Sequence, residues 1–327
     1  MTIQAIKYRA HTNIALIKYW GKRNKELFLP MTSSLSLTLD AFYTETQVEF
    51  MNDGSSDQFI LNGHRQSHDE CQKISEFIAH FRKLTGIHTP VQVDSYNHVP
   101  TAAGLASSAS AFAALGLALN DLFETKMDTK TLSTIVRQGS GSATRSLYGG
   151  FVVWDKGIEN DSLTSYSYPI DAAQWDIHML VVTINTQKKK ISSRVGMQAT
   201  IETSPFYQLW PSEVEKDLQA MIPAIKAQDF QTVGEIAEHN AMKMHATTFA
   251  ANPSFTYLAP ESLKVIQIVQ ELRQEGIPCF VTMDAGPNVK IICQKASVES
   301  IKNRLRSYFS AEQLILASPG PNPQKLN

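Results

Sequence analysis

Pro100-Thr-Ala-Ala-Gly104-Leu105-Ala106-Ser107-Ser108-Ala109-Ser110 runs without a break into Ala111-Phe-Ala-Ala-Leu115. Glycine and other small residues let backbone approach a ligand closely. A helix that starts here aims unsatisfied N–H groups and the positive end of its dipole at whatever lies in front of it. Ser107 and Ser108 add hydroxyls able to bind a phosphate oxygen or a magnesium ion. From Ser95 to Asn120 there is no Asp, Glu, Lys or Arg, so a membrane span has to be weighed. Pro100, Gly104, Ser107, Ser108 and Ser110 interrupt the first half, and alanine outweighs leucine in the rest. The stretch therefore reads as a loop followed by a buried helix of about 17 residues, roughly 25 Å long. Composition alone equally allows a serine-capped packing helix with no ligand. No GK[ST] follows, and the pattern is not GxGxxG.

On either side of this helix the patterning alternates between strand and helix. Ser36–Leu39 and Glu45–Phe50 alternate as strands do, and Phe59-Ile60-Leu61 before Asn62-Gly63 predicts a hairpin. Between Asp69 and Thr85, residues Ile74, Phe77, Ile78, Phe81 and Leu84 form one helical stripe. Ser67 and Glu70 have capping-box spacing at its start, and Gly86 is the stop. Val91 and Val93 mark a short strand. Tyr148–Trp154 and Met179–Ile184 read as buried strands. Helical patterns follow at about 212–227, 230–246, 261–276 and 295–309, with a strand pair near 279–294. The tail Ser318–Pro323 has turn chemistry and no core residues, so it is expected to dangle. This is mixed α+β patterning rather than regular βαβ alternation, with a boundary expected near 185–190.

The chain has 327 residues, with 30 Lys and Arg against 31 Asp and Glu and a formal net charge of −1. That length suggests about two domains. The apolar fraction of 43% excludes a disordered chain. The charge balance provides no basic field for wrapping nucleic acid. Cys71, Cys279 and Cys293 are odd in number and distant in sequence, which argues against a disulfide framework and fits a reducing compartment. Met1–Ala10 lacks a signal-peptide pattern. The expectation is a soluble cytoplasmic protein.

Four further segments hold reactive side chains. In Gly139-Ser140-Gly141-Ser142-Ala143-Thr144-Arg145-Ser146, Thr144 stands where a dinucleotide fingerprint needs glycine. What remains is a flexible, hydroxyl-rich loop whose arginine suits a carboxylate or phosphate, or else a surface ion pair. In Ala10-His-Thr-Asn13-Ile-Ala-Leu-Ile-Lys18-Tyr19-Trp20-Gly21-Lys22 two cations bracket two aromatics before a glycine turn, and an exposed edge strand reads equally well. Lys188-Lys-Lys190-Ile-Ser-Ser193-Arg194 puts positive charge directly after a buried strand, as a solvated face or an anion site. Thr282-Met283-Asp284-Ala285-Gly286-Pro287-Asn288 places one carboxylate in a turn between apolar strands, where an Asp often bonds only its own backbone. The nine histidines show no metal-binding spacing. Together the inventory suits phosphoryl transfer to a small anionic substrate.

With those residues in view, the chain resembles a known family. KYWGK at 18–22, PTAAGLASSAS at 100–110, GSGSATRS at 139–146, ISSRVGM at 191–197 and MDAGPN at 283–288 are similar to the diphosphomevalonate decarboxylases, bacterial members above all, over about residues 5–295. That family lies in the galactokinase, homoserine, mevalonate and phosphomevalonate (GHMP) kinase superfamily. The resemblance implies an α+β fold in two lobes, residues 1–187 and 188–327, with the active-site cleft between them. It implies ATP and Mg2+ as cofactors, mevalonate 5-diphosphate as substrate, and a cytoplasmic homodimer that binds neither nucleic acid nor membrane.

The resemblance also implies roles for individual residues. Gly104, Leu105, Ala106, Ser107 and Ser108 would cradle the ATP phosphates, with a Ser107 or Ser108 hydroxyl near magnesium, and Asn97 and Lys188 would add nucleotide contacts. Tyr19, Lys22, Ser140, Ser142, Ser193 and Arg194 would hold the substrate diphosphate and its surroundings, with Met197 lining the pocket. Arg145 would grip the substrate carboxylate. Asp284, with Lys18 close by, would sit beside the tertiary hydroxyl. Ala106 replaces a glycine common in related kinases, and DAGPN replaces their glycine-rich C-terminal motif; both match the decarboxylase branch. Two rivals remain: a mevalonate 3-kinase, which releases no carbon dioxide, and a non-catalytic sensor on the same scaffold. The second is expected to lose Asp284, Arg145 or the Ser107–Ser108 pair, and all four are present.

Overall fold

Two long strands carry the first half of the chain. β1 (Ile6–Ile17) and β4 (Ser34–Phe50) run antiparallel along most of their length. The short hairpin of β2 (Lys22–Asn24) and β3 (Leu29–Pro30) lies between them. The computed structural model describes residues 5–52, 54, 56–98, 107–184 and 191–326, with only the backbone of residue 107. Gly104, Leu105, Ala106, Lys188 and the Ser107 side chain, all expected at the nucleotide, lie outside the described residues.

The elements then follow in order. β5 (Gln58–Leu61) and β6 (His64–Arg65) form the expected hairpin, with Asn62 and Gly63 at φ 51° and 77°. Then come α1 (His68–Thr85), β7 (Val91–His98), α2 (Ser107–Leu122), α3 (Thr129–Gly139), β8 (Phe151–Trp154), β9 (Ser167–Asp171) and β10 (His178–Val182). The remainder is α4 (Ser193–Thr203), α5 (Trp210–Lys226), α6 (Phe230–Phe249), α7 (Pro260–Gln274), β11 (Cys279–Met283), β12 (Val289–Cys293), α8 (Val298–Leu305), β13 (Leu314–Ala317) and β14 (Gln324–Leu326).

The larger sheet has the order β14-β1-β4-β7-β5-β6, with β8 and β9 extending from the start of β4. Its pairings are antiparallel except β5 with β7. The smaller sheet, β11-β12-β10-β13, is antiparallel throughout. Helices α1, α2 and α3 cover one face of the larger sheet over a core of Ile78, Phe81, Val93, Leu119 and Val136. Its other face shares a core with the smaller sheet and with α5 and α6, built from Leu16, Leu37, Phe151, Val181, Val214, Met244 and Phe280. The smaller sheet obeys the two-residue period of a strand: Met179 and Val181 enter the shared core, while Leu180 and Val182 pack under α7 and α8. Helix α6 abuts this sheet closely. A Cβ on Gly234 would lie 2.0 Å from the Phe280 ring.

Two local expectations change. Leu84 is 58% exposed, although it shares the stripe of α1 with the buried Ile74, Phe77, Ile78 and Phe81. Gly86 stops the helix one residue after Thr85, in the left-handed conformation. Cys279 and Cys293, distant in sequence, face each other across β11 and β12 as free thiols that burial pushes up to about 12.

The second change concerns the tail, which is anchored rather than dangling. Gly320 donates to the Thr38 carbonyl at 2.7 Å and accepts from Gly150 N–H at 3.1 Å, and Asp40 N–H donates to the Ser318 carbonyl. Asn322 accepts from Gly149 N–H, and β14 pairs with β1. Backbone hydrogen bonds hold this segment, so an absence of apolar side chains was no guide to its order. Each such bond is worth about 1 kcal/mol. Deleting residues 318–327 is therefore expected to lower the melting temperature by several degrees; an unchanged melting curve would show that these bonds contribute nothing.

Candidate active site

The chain leaves β1 at Ile17 and turns sharply. Lys18 N–H donates to Asn240 Oδ1 at 2.8 Å, and Asn240, fully buried on α6, donates in turn to Asp217 of α5. Trp20 is buried; its Nε1 donates to Thr200 of α4, and its carbonyl accepts from Tyr207 and Trp210, each at 3.0 Å. Gly21 sits at φ +114°, and a Cβ there would lie 1.8 Å from the Tyr207 hydroxyl. Only glycine fits. The segment is thus a rigid corner and not an exposed edge: Lys18 is 1% exposed.

Lys18 Nζ donates to the Ala15 carbonyl at 2.6 Å and to Asp284 Oδ1 at 2.8 Å. Asp284, in the turn between β11 and β12, accepts at Oδ2 from Lys290 Nζ at 3.0 Å. Its side chain therefore faces two cations, while its own carbonyl closes the turn by accepting from Gly286 N–H. Burial alone would raise the Asp284 carboxyl, but Lys18 and Lys290 together hold it well below the usual carboxylate range. Burial brings Lys18 down to about 8 against the pull of Asp284. His245 of α6, pushed to about 4 by burial and then by Lys18, is neutral at physiological pH.

Residues 139–146 form no flexible loop. Gly141–Leu147 is a 3₁₀ turn, and Arg145 within it is 2% exposed. Arg145 donates to Ser34 Oγ at 2.6 Å and to Asn13 Oδ1 at 3.3 Å. Asn13 is itself tied to the Ser142 carbonyl and Ser146 Oγ. A bulge in β1 between His11 and Asn13 turns Asn13 toward this arginine. Burial lowers Arg145 to about 10, and Asp284 and Tyr19 nearby oppose the shift. It stays charged at neutral pH, and its burial against Ser34 and Asn13 excludes a surface ion pair.

Beside this cluster lies a cavity of about 670 Å³ whose walls include Tyr19, Lys22, Ser108, Ser140, Arg194 and Met197. Lys22 Nζ stands 3.6 Å from the centre of the Phe28 ring, and Arg194 faces the same ring at 6.0 Å. The Tyr19 hydroxyl is buried with no protein partner, a group waiting for an acceptor. Ser108, Ser140 and Ser142 form a chain of hydroxyls at 3.3 and 3.4 Å. Ser193 opens α4 next to Arg194 but does not line the cavity.

A second, apolar cavity of about 230 Å³ lies under α1 and α2 and is lined by Phe59, Leu61, Ile74, Asn97, Phe112 and, again, Ser108. Asn97 reaches it from β7, its Oδ1 accepting from Thr44. The Ser108 hydroxyl at the start of α2 thus stands at the junction of both cavities, where a phosphate chain and its magnesium would fit. Among the described residues no cluster of three or more His, Cys, Asp or Glu could hold a metal. A cation here would need phosphate oxygens besides the serines.

Sequence reading missed four residues: Lys290, His245, Asn13 and Asn240. Lys290 carried a usable signal. A lone cation inside the apolar strand Val289–Cys293 cannot be buried without an anion, and the nearest one in the chain is Asp284. Asn13 lay inside a quoted stretch, but nothing in the sequence tied it to Arg145, 132 positions on. His245 and Asn240 had no sequence signal.

Two family models cover most of the chain. The diphosphomevalonate decarboxylase-like N-terminal domain matches residues 10–167, and the mevalonate 5-diphosphate decarboxylase C-terminal domain matches 179–321. The diphosphomevalonate decarboxylase of Candida albicans is 35% identical, over 97% of this chain and 96% of the relative. The solved mevalonate diphosphate decarboxylase of Enterococcus faecalis is 49% identical, with a TM-score of 0.93 and full coverage of both chains. A structure of MDDEF in complex with MVAPP, AMPPCP and magnesium matches at 49% identity with a TM-score of 0.94, again over all of both chains.

The cavity has its own pH signature. Burial, then the neighbouring Arg194, lowers Lys22 to about 8, so it is charged below that pH and a neutral amine above it. Calorimetric binding of methyl diphosphate, fully ionised by pH 8, is expected to weaken as pH rises past about 8. Lys22→Met is expected to bind more weakly and without that dependence. Equal binding at pH 7 and 9.5 by the unaltered protein would contradict the assignment.

Proposed function

We infer that this chain, which belongs to the diphosphomevalonate decarboxylase family, converts mevalonate 5-diphosphate and ATP into isopentenyl diphosphate, ADP, phosphate and carbon dioxide. It is a carboxy-lyase of the mevalonate pathway to isoprenoids that acts through phosphorylation of the substrate's tertiary hydroxyl. The observation that carries the reading is Asp284, ionised, partly open to a ligand and fixed by Lys18 next to the charged Arg145. A hydroxide leaves carbon poorly, whereas a phosphate leaves well, and a carboxylate on the neighbouring carbon can then depart as carbon dioxide.

Each residue has a part in that sequence. Arg145, pre-aimed by Ser34 and Asn13, binds the substrate carboxylate. Tyr19, Lys22, Ser140, Ser142, Ser193 and Arg194 take the diphosphate and its surroundings, and the two cations facing Phe28 support this. Met197 packs against the substrate's carbon chain. Asp284 accepts or orients the proton of the tertiary hydroxyl, and its negative charge favours the positive charge that develops at carbon. Lys18 offsets charge on the transferring phosphoryl, and electrostatic preorganisation of this kind is usually the largest catalytic term. The Ser107 and Ser108 hydroxyls would hold magnesium, which would neutralise charge on the nucleotide phosphates. Asn97 and the apolar cavity beneath α2 suit the nucleoside, and Gly104, Leu105, Ala106 and Lys188 belong to the same site by their motifs.

The reading includes two lobes, 1–187 and 188–327, and a cytoplasmic homodimer. Three free thiols support a reducing compartment. No helix among the described residues is long and apolar enough to cross a membrane.

The test follows ADP and carbon dioxide together from carboxyl-labelled mevalonate 5-diphosphate. Equal release is expected; ADP without carbon dioxide would make the protein a kinase. Asp284→Asn is expected to reduce turnover by at least about 10²–10⁴-fold while still binding ATP, and near-normal turnover would remove Asp284 from the mechanism.

A further inference from the structure

Lys290 makes a contact that the mechanism above does not use. It lies on β12 opposite Thr282, with only 3% of its side chain exposed, and its ammonium reaches Asp284 Oδ2 at 3.0 Å and the Asn288 carbonyl at 3.4 Å. A buried ammonium is expensive unless paired. A simple partner for Lys18 would leave Asp284 one oxygen to spare. Instead the carboxylate is held at both ends, by Lys18 from the larger sheet and by Lys290 from the smaller one.

We propose that Lys290 is a positioning residue for the decarboxylation: by gripping Oδ2 it fixes the rotation of the Asp284 carboxylate and presents Oδ1 and Lys18 to the reacting alcohol. The proposal rests on the reading of Asp284 as the carboxylate at that alcohol. The turn between β11 and β12 holds the Asp284 backbone through Gly286, but a backbone anchor leaves the side-chain torsions free. Lys18 alone could follow a rotating carboxylate. Two ammonium groups on opposite oxygens cannot, and 37% of the Asp284 side chain remains open to an incoming ligand. Lys290 also supplies charge. The ionisable groups around Asp284 are Lys18 after β1, Arg145 in the 3₁₀ turn, His245 on α6 and Lys290 on β12. Among the described residues, only Lys18 and Lys290 donate to its oxygens. Removing one of two bonded cations makes Asp284 easier to protonate.

The test is Lys290→Met beside Lys290→Arg. Misplacement of a reacting group by about 1 Å can cost about 10²-fold, so K290M is expected to lose about 10- to 100-fold in kcat. Its KM for substrate and its affinity for a fluorescent ATP analogue should stay near normal. In the unaltered protein Asp284 is held well below the usual carboxylate range, so in K290M the acid limb it sets should appear at higher pH, because Asp284 gains a proton sooner. K290R, which keeps the charge, is expected to recover most of the rate and the original acid limb. A structural role alone would lower melting temperature without moving that limb. If K290M does not fold, Lys290→Gln supplies the same pH profile. Wild-type kcat with an unmoved acid limb in the folded neutral variant would overturn the proposal. If D284N is also fully active, the underlying assignment of Asp284 fails; if D284N is dead, only the role of Lys290 fails.

Discussion

The site depends on one carboxylate pinned between ammonium groups from two different sheets. Lys18 directly follows a strand of the larger sheet, and Asp284 and Lys290 lie in a turn and a strand of the smaller one. Desolvating an unpaired charge costs several kcal/mol, so neither lysine could be buried to this degree without the carboxylate. The pairing is satisfied only when the sheets are docked. Formation of the fold and assembly of the reacting centre are therefore one event, and docking leaves Asp284 ionised.

The docking is fixed by shape as much as by charge. The shared core of Leu16, Leu37, Val181, Met244 and Phe280 joins both sheets through α5 and α6. Gly234 lets Phe280 seat against α6, and Gly21 lets the Tyr207 hydroxyl reach the Trp20 carbonyl. The Asn240–Asp217–Lys243 chain then carries the packing of α5 and α6 to the Lys18 backbone. Polar groups buried in such a chain hold their geometry because each loses its partner if any one moves. The cationic cavity stands next to this rigid centre, reached through Tyr19, the residue after Lys18.

Sequence reading recovered the elements whose signal is periodic or punctuated. Apart from Leu84, the α1 stripe with its Ser67 cap and Gly86 stop formed as its local chemistry demanded, as did the Asn62–Gly63 hairpin and the paired strands around Asp284. β1 read only as an exposed edge strand because its buried Thr12 and Asn13 interrupt the apolar alternation for the sake of the site. The 3₁₀ turn at Gly141–Leu147 read as a loop for the same reason, since Ser142, Ser146 and Arg145 serve a polar network rather than a core. The tail was misread because its order comes from backbone bonds. At the site, five motifs identified the chemistry. Their convergence rests on contacts spanning more than a hundred positions, such as Lys18 with Asp284 and Asn13 with Arg145, and no local pattern encodes these.

The central claim is that Lys18 and Asp284 act as one unit. A double-mutant cycle on kcat measures it directly, using Lys18→Met, Asp284→Asn and the pair. Groups that act as a unit give strongly non-additive losses. The account predicts that the double variant is no slower than the slower single variant. Losses that multiply, each substitution costing the same factor whether or not the other residue is present, would contradict it.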